Sequence, residues 1–161
     1  MRITNAEDYA LRTMLYLASQ PVGRFCAIEA IAREQDIPVP FLRKLVKPLQ
    51  RAGLLVSRRG AEGGVALGRA ASSITFRDVL EALDGPIVLQ RCVGEAEAAD
   101  CCGIIDRCRM RGVWQRIQEQ LLEALGAVSV GEVAGPPSAG IPLPVVAGRP
   151  VPGGAPRPAG A

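Results

Sequence analysis

The chain has 161 residues, five cysteines, no histidine and a formal net charge of +3. That length builds one ordinary domain with an appendage, and the missing histidine excludes Ser/His/Asp and Cys/His catalysis and most catalytic zinc sites, so no conventional enzyme is expected. The charge is uneven: residues 1–80 carry 12 basic and 7 acidic side chains, residues 81–134 carry 5 and 9, so the two halves have different tasks. No apolar run approaches membrane length, and the opening Met1 to Thr4 leads straight onto a helix signal. Neither a signal peptide nor a membrane span is expected, which points to a cytoplasmic protein with no membrane partner.

Thr4-Asn5-Ala6-Glu7 is a capping-box pattern. The helix it starts carries Leu11, Met14, Leu15 and Ala18 as a core stripe and is expected to end near Ser19, before Pro21. Asp8 lies on its first turn, where an acid complements the helix dipole and can pair with Arg12 four residues on. After the Pro21–Gly23 turn, residues 28–34 read as a short helix burying Ile28 and Ile31, closed by Asp36-Ile37-Pro38. Cys26, among Phe25, Ala27 and Ile28, is expected to be a small buried apolar residue rather than a ligand.

The stretch from Phe41 to Leu67 organises the rest, because six cations in it precede its one acid, Glu62. Leu42, Leu45, Leu49 and Ala52 define one apolar helix face, while Arg43, Lys47 and Arg51 line up four apart on another. Pro48 lacks an amide for the carbonyl of Lys44 and is expected to kink or restart the helix there. Gly53 sits where a C-cap would. Leu54 to Ser57 make a short apolar run, and Arg58, Arg59 and Gly60 with Gly63 and Gly64 supply a turn before Val65 and Leu67. Helix, tight turn, basic helix and basic hairpin together describe a winged helix-turn-helix. Such a unit suits double-stranded DNA, with a helix in the major groove and hairpin cations on phosphates. Arg43, Lys44 and Lys47 are the candidate base-edge or phosphate contacts of the helix. Arg58 and Arg59 are expected to grip the backbone or enter the minor groove from the wing tip. Gly60, also placed in the DNA-binding set, permits the turn with Gly63 and Gly64 rather than reading bases.

Thr75 to Asp78 is a second N-cap signal, opening a helix through Val79, Leu80 and Leu83 that Gly85 and Pro86 terminate. An irregular loop follows. Residues 111–125 are then expected to be helical, with Trp114, Ile117, Leu121 and Leu125 near a and d spacing and Val113 and Leu122 widening the stripe, a face that invites a partner chain. From residue 135 to 161, 14 of 27 residues are Pro or Gly and none is aromatic or acidic, so this tail is expected to be disordered.

Four of the five cysteines, Cys92, Cys101, Cys102 and Cys108, fall within 17 residues in a loop that also carries Glu95, Glu97, Asp100 and Asp106. Without a secretion signal, such clustering points to metal or redox use rather than to a disulfide scaffold. Thiolates suit iron-sulfur clusters and zinc alike, and the spacing does not separate the two.

Taken together, these motifs resemble the Rrf2 family of bacterial winged-helix regulators, which includes an iron-sulfur cluster regulator and a nitric-oxide-sensitive repressor. The matching features are Met1 to Thr4 with Asp8 to Arg12, Ala52 to Leu55, the hairpin Arg59-Gly60-x-x-Gly63-Gly64-x-x-Leu67, Asp78 to Gly85, and the cysteine loop followed by Arg111 to Trp114. They span residues 1–134. The resemblance implies a mostly α fold, a winged helix-turn-helix with a small β-hairpin wing and a long C-terminal dimerisation helix. The expected divisions are 1–85 for DNA binding, 86–110 for the cluster-binding loop, 111–134 for the dimerisation helix and 135–161 for the tail.

It also implies a homodimer on a pseudo-palindromic operator, no small-molecule substrate, and an iron-sulfur cluster, 2Fe-2S or 4Fe-4S, held by three loop cysteines. By position these are Cys92, Cys102 and Cys108, with Cys101 as a competitor. Family members that resemble the cluster-biosynthesis regulator use a histidine as fourth ligand, which this chain lacks. Repressors similar to the nitric-oxide sensor use an aspartate on the first helix, donated by the other subunit, and Asp8 matches it; Glu7 and Cys101 are alternatives. The interval from Cys92 to Cys102 is longer than the family pattern, which leaves the cluster type open. The function so implied is a transcriptional regulator, a repressor, sensing nitric oxide, redox state or iron. The rivals are a zinc or thiol-disulfide switch on the same fold and a cluster carrier or electron-transfer protein with no use for DNA.

Overall fold

A computed structural model of the chain describes residues 3–60, 63–94 and 103–135, and these form the expected winged helix-turn-helix with one long helix leaning on it. Its first helix, α1 (Asn5–Ala18), begins with the capping box that Thr4 and Glu7 predict. The Glu7 amide donates to Thr4 Oγ1 at 3.3 Å and the Thr4 amide donates to Glu7 Oε2 at 2.6 Å, so two of the orphan donors at the helix start are satisfied. Its inward side buries Ala10, Met14 and Leu17, with Thr13, whose hydroxyl donates to the Tyr9 carbonyl at 2.7 Å.

The short α2 (Ile28–Gln35) ends on Asp36, which takes the left-handed conformation at φ 52°. The Ile37 amide then reaches back to the Ala32 carbonyl at 2.8 Å and Ile37 is buried, a Schellman closure that turns the chain sharply into the next helix. That helix, α3 (Val39–Arg51), starts two residues before Phe41, because Pro38 and Pro40 fit a helix entry where amides are unpaired anyway. It closes the same way at Gly53, with the Leu54 amide donating to the Leu49 carbonyl at 2.9 Å.

The restart offered as one outcome at Pro48 does not occur: α3 is one continuous helix through it. Leu42, Leu45, Val46 and Leu49, on both sides of the proline, are all in the core. Burying four such side chains is worth about 1.5–3 kcal/mol each, more than the roughly 3 kcal/mol that an interior proline costs.

The wing is an antiparallel pair, β1 (Leu55–Arg58) and β2 (Gly64–Leu67), in the register Leu55 to Leu67 through Arg58 to Gly64. Its other edge is closed by Cys26, which exchanges two backbone hydrogen bonds of 2.9 Å with Val65. Cys26 is buried, as expected, and burial pushes its thiol up from the ordinary range despite the nearby Arg24.

A second capping box, Thr75 with Asp78, starts α4 (Phe76–Asp84), and Gly85 stops it. Residues 86–94 then lie between α4 and the long α5 (Arg109–Ala127), held by the Leu89 amide on Gln118 Oε1 at 2.9 Å and the Ile87 amide on Glu81 Oε1 at 3.4 Å.

The segment expected as one dimerisation helix over 111–134 divides in two. Helix α5 stops at Ala127; Val128 is extended, and a one-turn α6 (Val130–Val133) follows, capped by Ser129. This return joins the winged unit: the Phe76 amide donates to the Val128 carbonyl at 3.0 Å, the Val130 amide donates to Ile74 at 2.8 Å, and Val130 is fully buried beside α1. Helix α5 by contrast buries no residue, and Met110, Val113 and Ile117 stand 56%, 50% and 41% exposed. Among the described residues no helix is long and apolar enough to cross a membrane.

Candidate nucleic-acid interface and cysteine centre

Because Leu42, Leu45, Val46 and Leu49 must face the core, helical geometry turns Arg43, Lys44, Lys47 and Arg51 outward, and all four are exposed. The two basic elements adjoin, since Gln50 on α3 donates to the Ser57 hydroxyl on β1 at 2.8 Å. Arg58, at the end of β1, lays its guanidinium 4.6 Å from the centre of the Phe25 ring, a cation–π contact. Arg59 and Gly60 are exposed at the wing tip, and Gly60 has φ 111°, which a glycine adopts freely. Ala61 and Glu62, the remainder of the tip, lie outside the described residues. The predicted cations of the helix and the wing are thus brought to neighbouring surfaces.

Two contacts at this surface had no sequence signal. Arg43 is engaged by Glu29 of α2, Nη2 to Oε1 at 2.6 Å, and this hydrogen bond holds the Glu29 carboxyl below its usual range. The residues are 14 apart, so no helix spacing announces the pair. The N-terminal end of α3 is also tied to α1 by an edge-on stack of Tyr9 and Phe41, centroids 5.4 Å apart.

Asp8 is exposed on the first turn of α1 and pairs with Arg12 at 3.3 Å, as its spacing predicts. Arg12 also donates to the Gln35 carbonyl at the end of α2 and lies 5.7 Å from the Tyr9 ring centre. Glu7, the alternative ligand, is buried in the capping box and spends its carboxylate there.

Of the clustered cysteines, Cys92 and Cys108 are described, and both are half-buried free thiols; Cys101 and Cys102 lie outside the described residues, as do Glu95, Glu97 and Asp100. Cys92 sits in a short 3-10 turn, Arg91–Val93, and Cys108 caps the start of α5. Arg111 joins them: its amide donates to the Cys108 carbonyl at 3.4 Å and its Nε donates to the Cys92 carbonyl at 3.1 Å. The two ends of the cysteine loop are therefore held to one turn of α5. No group of three or more candidate metal ligands comes together among the described residues. The described pair nonetheless fits a thiolate-held group, with soft sulfur donors uncommitted to disulfides and fixed on adjoining backbone.

Solved structures share this architecture. CymR of B. subtilis, described as its global cysteine regulator, is 28% identical, with a TM-score of 0.67 over 83% of this chain and 96% of that one. CymR of Staphylococcus aureus is 25% identical, with a TM-score of 0.65 over 84% of this chain and 100% of that one. IscR of T. potens, 22% identical over 83% of this chain and 85% of that one, has the same fold at a TM-score of 0.65. The family model named Rrf2, iron-dependent transcriptional regulator, matches residues 3–136. The chain belongs to the Rrf2 family of transcriptional regulators.

Proposed function

We propose that this chain is a homodimeric DNA-binding regulator, acting as a repressor, whose grip on an operator is controlled by an iron-sulfur cluster in the cysteine loop. The observation that carries the DNA-binding part is the outward array of Lys44, Lys47 and Arg51 on α3 beside Arg58 and Arg59 on the wing it is bonded to. Cations so arranged neutralise phosphates on either side of a groove, and the phosphate term dominates affinity. The exposed apolar side of α5, Met110, Val113 and Ile117, would be covered by the same helix of a second copy, which gives two recognition helices for half-sites about 34 Å apart.

Cys92, Cys102 and Cys108 would hold the cluster, with Cys101 as an alternative and Asp8 of the partner subunit as fourth ligand. When bound, the cluster supplies a reversible cross-link between loop segments that nitric oxide or oxidation can break. Arg111 carries the loop's arrangement to α5 through the Cys92 and Cys108 carbonyls, and α5 sets the spacing of the two winged units. A change in that spacing shifts the population competent for both half-sites at once.

Anaerobic purification tests both parts. The expected protein is coloured, with stoichiometric iron and sulfide, and loses visible absorbance when Cys92, Cys102 or Cys108 is replaced by Ala. Stoichiometric zinc, or full absorbance in all three variants, overturns the cluster. Binding to duplexes from its own promoter should weaken by about 0.9 in log K per log salt for each phosphate neutralised, and Arg59→Ala should remove about one such step. A chain that retains no duplex, loaded or stripped, is not a DNA-binding protein.

A further inference from the structure

Of the four cations that α3 turns outward, Arg43 is the one held by a carboxylate; no acid pairs with Lys44, Lys47 or Arg51 among the described residues. The Arg43–Glu29 contact is short at 2.6 Å although its side chains are 62% and 60% exposed, and it joins α2 to α3 across the helix-turn-helix. We infer that Glu29 is a specificity-determining residue: it positions the Arg43 guanidinium to address a guanine edge in the major groove instead of a phosphate. This rests on the proposed entry of α3 into the groove.

The chemistry separates two kinds of arginine. A phosphate grip works through net charge, and an arginine already neutralised by a carboxylate releases few counterions on binding. Base reading works through geometry. Guanidinium offers five N–H donors in a rigid planar fork, so one N–H of Nη2 can stay on Glu29 while its other N–H and an adjacent nitrogen remain for the O6 and N7 acceptors of guanine. An unrestrained arginine loses about 2 kcal/mol of rotamer entropy when fixed; one already held across two helices loses less. Lys44, Lys47 and Arg51 then supply the sequence-independent attraction while Arg43 supplies discrimination.

The test is selection from a duplex pool with about 20 randomised base pairs, enough for two half-sites, using the full chain in loaded and stripped forms. Wild type is compared with Glu29→Gln, Arg43→Ala and the exchange Glu29→Arg with Arg43→Glu. One enriched guanine position is expected to lose its whole preference, about 5- to 150-fold, in Arg43→Ala and a smaller part of it in Glu29→Gln, with other positions and the salt slope unchanged. The exchanged pair, which restores the tie between α2 and α3, should melt like wild type without regaining that guanine.

The assignment is overturned if Glu29→Gln keeps the preference, if it tightens every duplex with a steeper salt slope, or if the exchanged pair restores the wild-type motif. The last result would make the pair a structural tie alone. A wild-type chain that enriches nothing sinks the reading of α3 and this assignment together; a wild-type motif left unaltered in Glu29→Gln sinks this assignment alone.

Discussion

Gly53 and Gly64 show how differently two residues of one type can be required. Both have positive φ, 69° and 145°, but a Cβ at Gly53 meets open space, whereas at Gly64 it would run into the backbone of Cys26 and Ala27. Gly53→Ala should cost about 1–2 kcal/mol, the left-handed penalty alone. Gly64→Ala should cost more, because it also pushes Cys26 off the wing edge. Urea melts of the two variants check the order, and equal losses would refute it. Cys26 itself is 6% exposed with its thiol pushed up by burial, so its neutral form belongs to the folded state. That contribution is complete below the ordinary thiol pKa and is lost as pH rises through the folded value. At about pH 8, iodoacetamide on the native, cluster-free chain should modify Cys92 and Cys108 well before Cys26, as mass spectrometry of the digest would show.

At the scale of elements, α3 and α5 are opposites. Helix α3 is anchored by four buried side chains, which is why an interior proline leaves it unbroken. Helix α5 has 19 residues and buries none, although Trp114, Leu121, Leu122 and Leu125 are half-covered. A helix in that state is stabilised by what packs on it rather than by propensity. Val113→Glu and Ile117→Glu should therefore yield a monomer by sedimentation, because each would bury an unpaired charge in the proposed interface. The same variants should leave the melting of the winged unit nearly unchanged, since these positions are 50% and 41% exposed within one chain. Wild-type sedimentation as a monomer would remove the homodimer from the account.

Across the whole molecule, the chain after α5 returns to the winged unit and is part of its fold. Val128 and Val130 return to the core beside Ile74 and α1, and Gly131 packs so tightly that a Cβ would lie 2.8 Å from the Ser72 amide nitrogen. A chain ending at Ala127 should thus be less stable than one ending at Gly135 by about 2 kcal/mol or more, the value of one or two buried valines. Equal melting temperatures would show that the return adds nothing. The same return makes α5 a loop-out from the winged unit, tied at its start by Arg111 to the cysteine segment and at its end by Val128 to α4. The cysteine segment is therefore joined to the winged unit through both ends of α5.

Local chemistry was readable without coordinates wherever partners lie within a few residues. Both capping boxes, the glycine turn, the outward basic face of α3, the Asp8–Arg12 pair and the burial of Cys26 all follow from spacing and side-chain type. Contacts between distant residues were not readable. Glu29 meets Arg43, Cys26 closes the wing, Arg111 reaches Cys92, and α5 ends where Val128 can re-enter the core, because packing brings together groups whose separation along the chain carries no period. Sequence by itself therefore determined the candidates, the cations of α3 and the wing and the clustered cysteines. The tertiary structure decided which cation of α3 is held by an acid and which ends of the cysteine loop share a helix turn, since both depend on burying one common apolar surface.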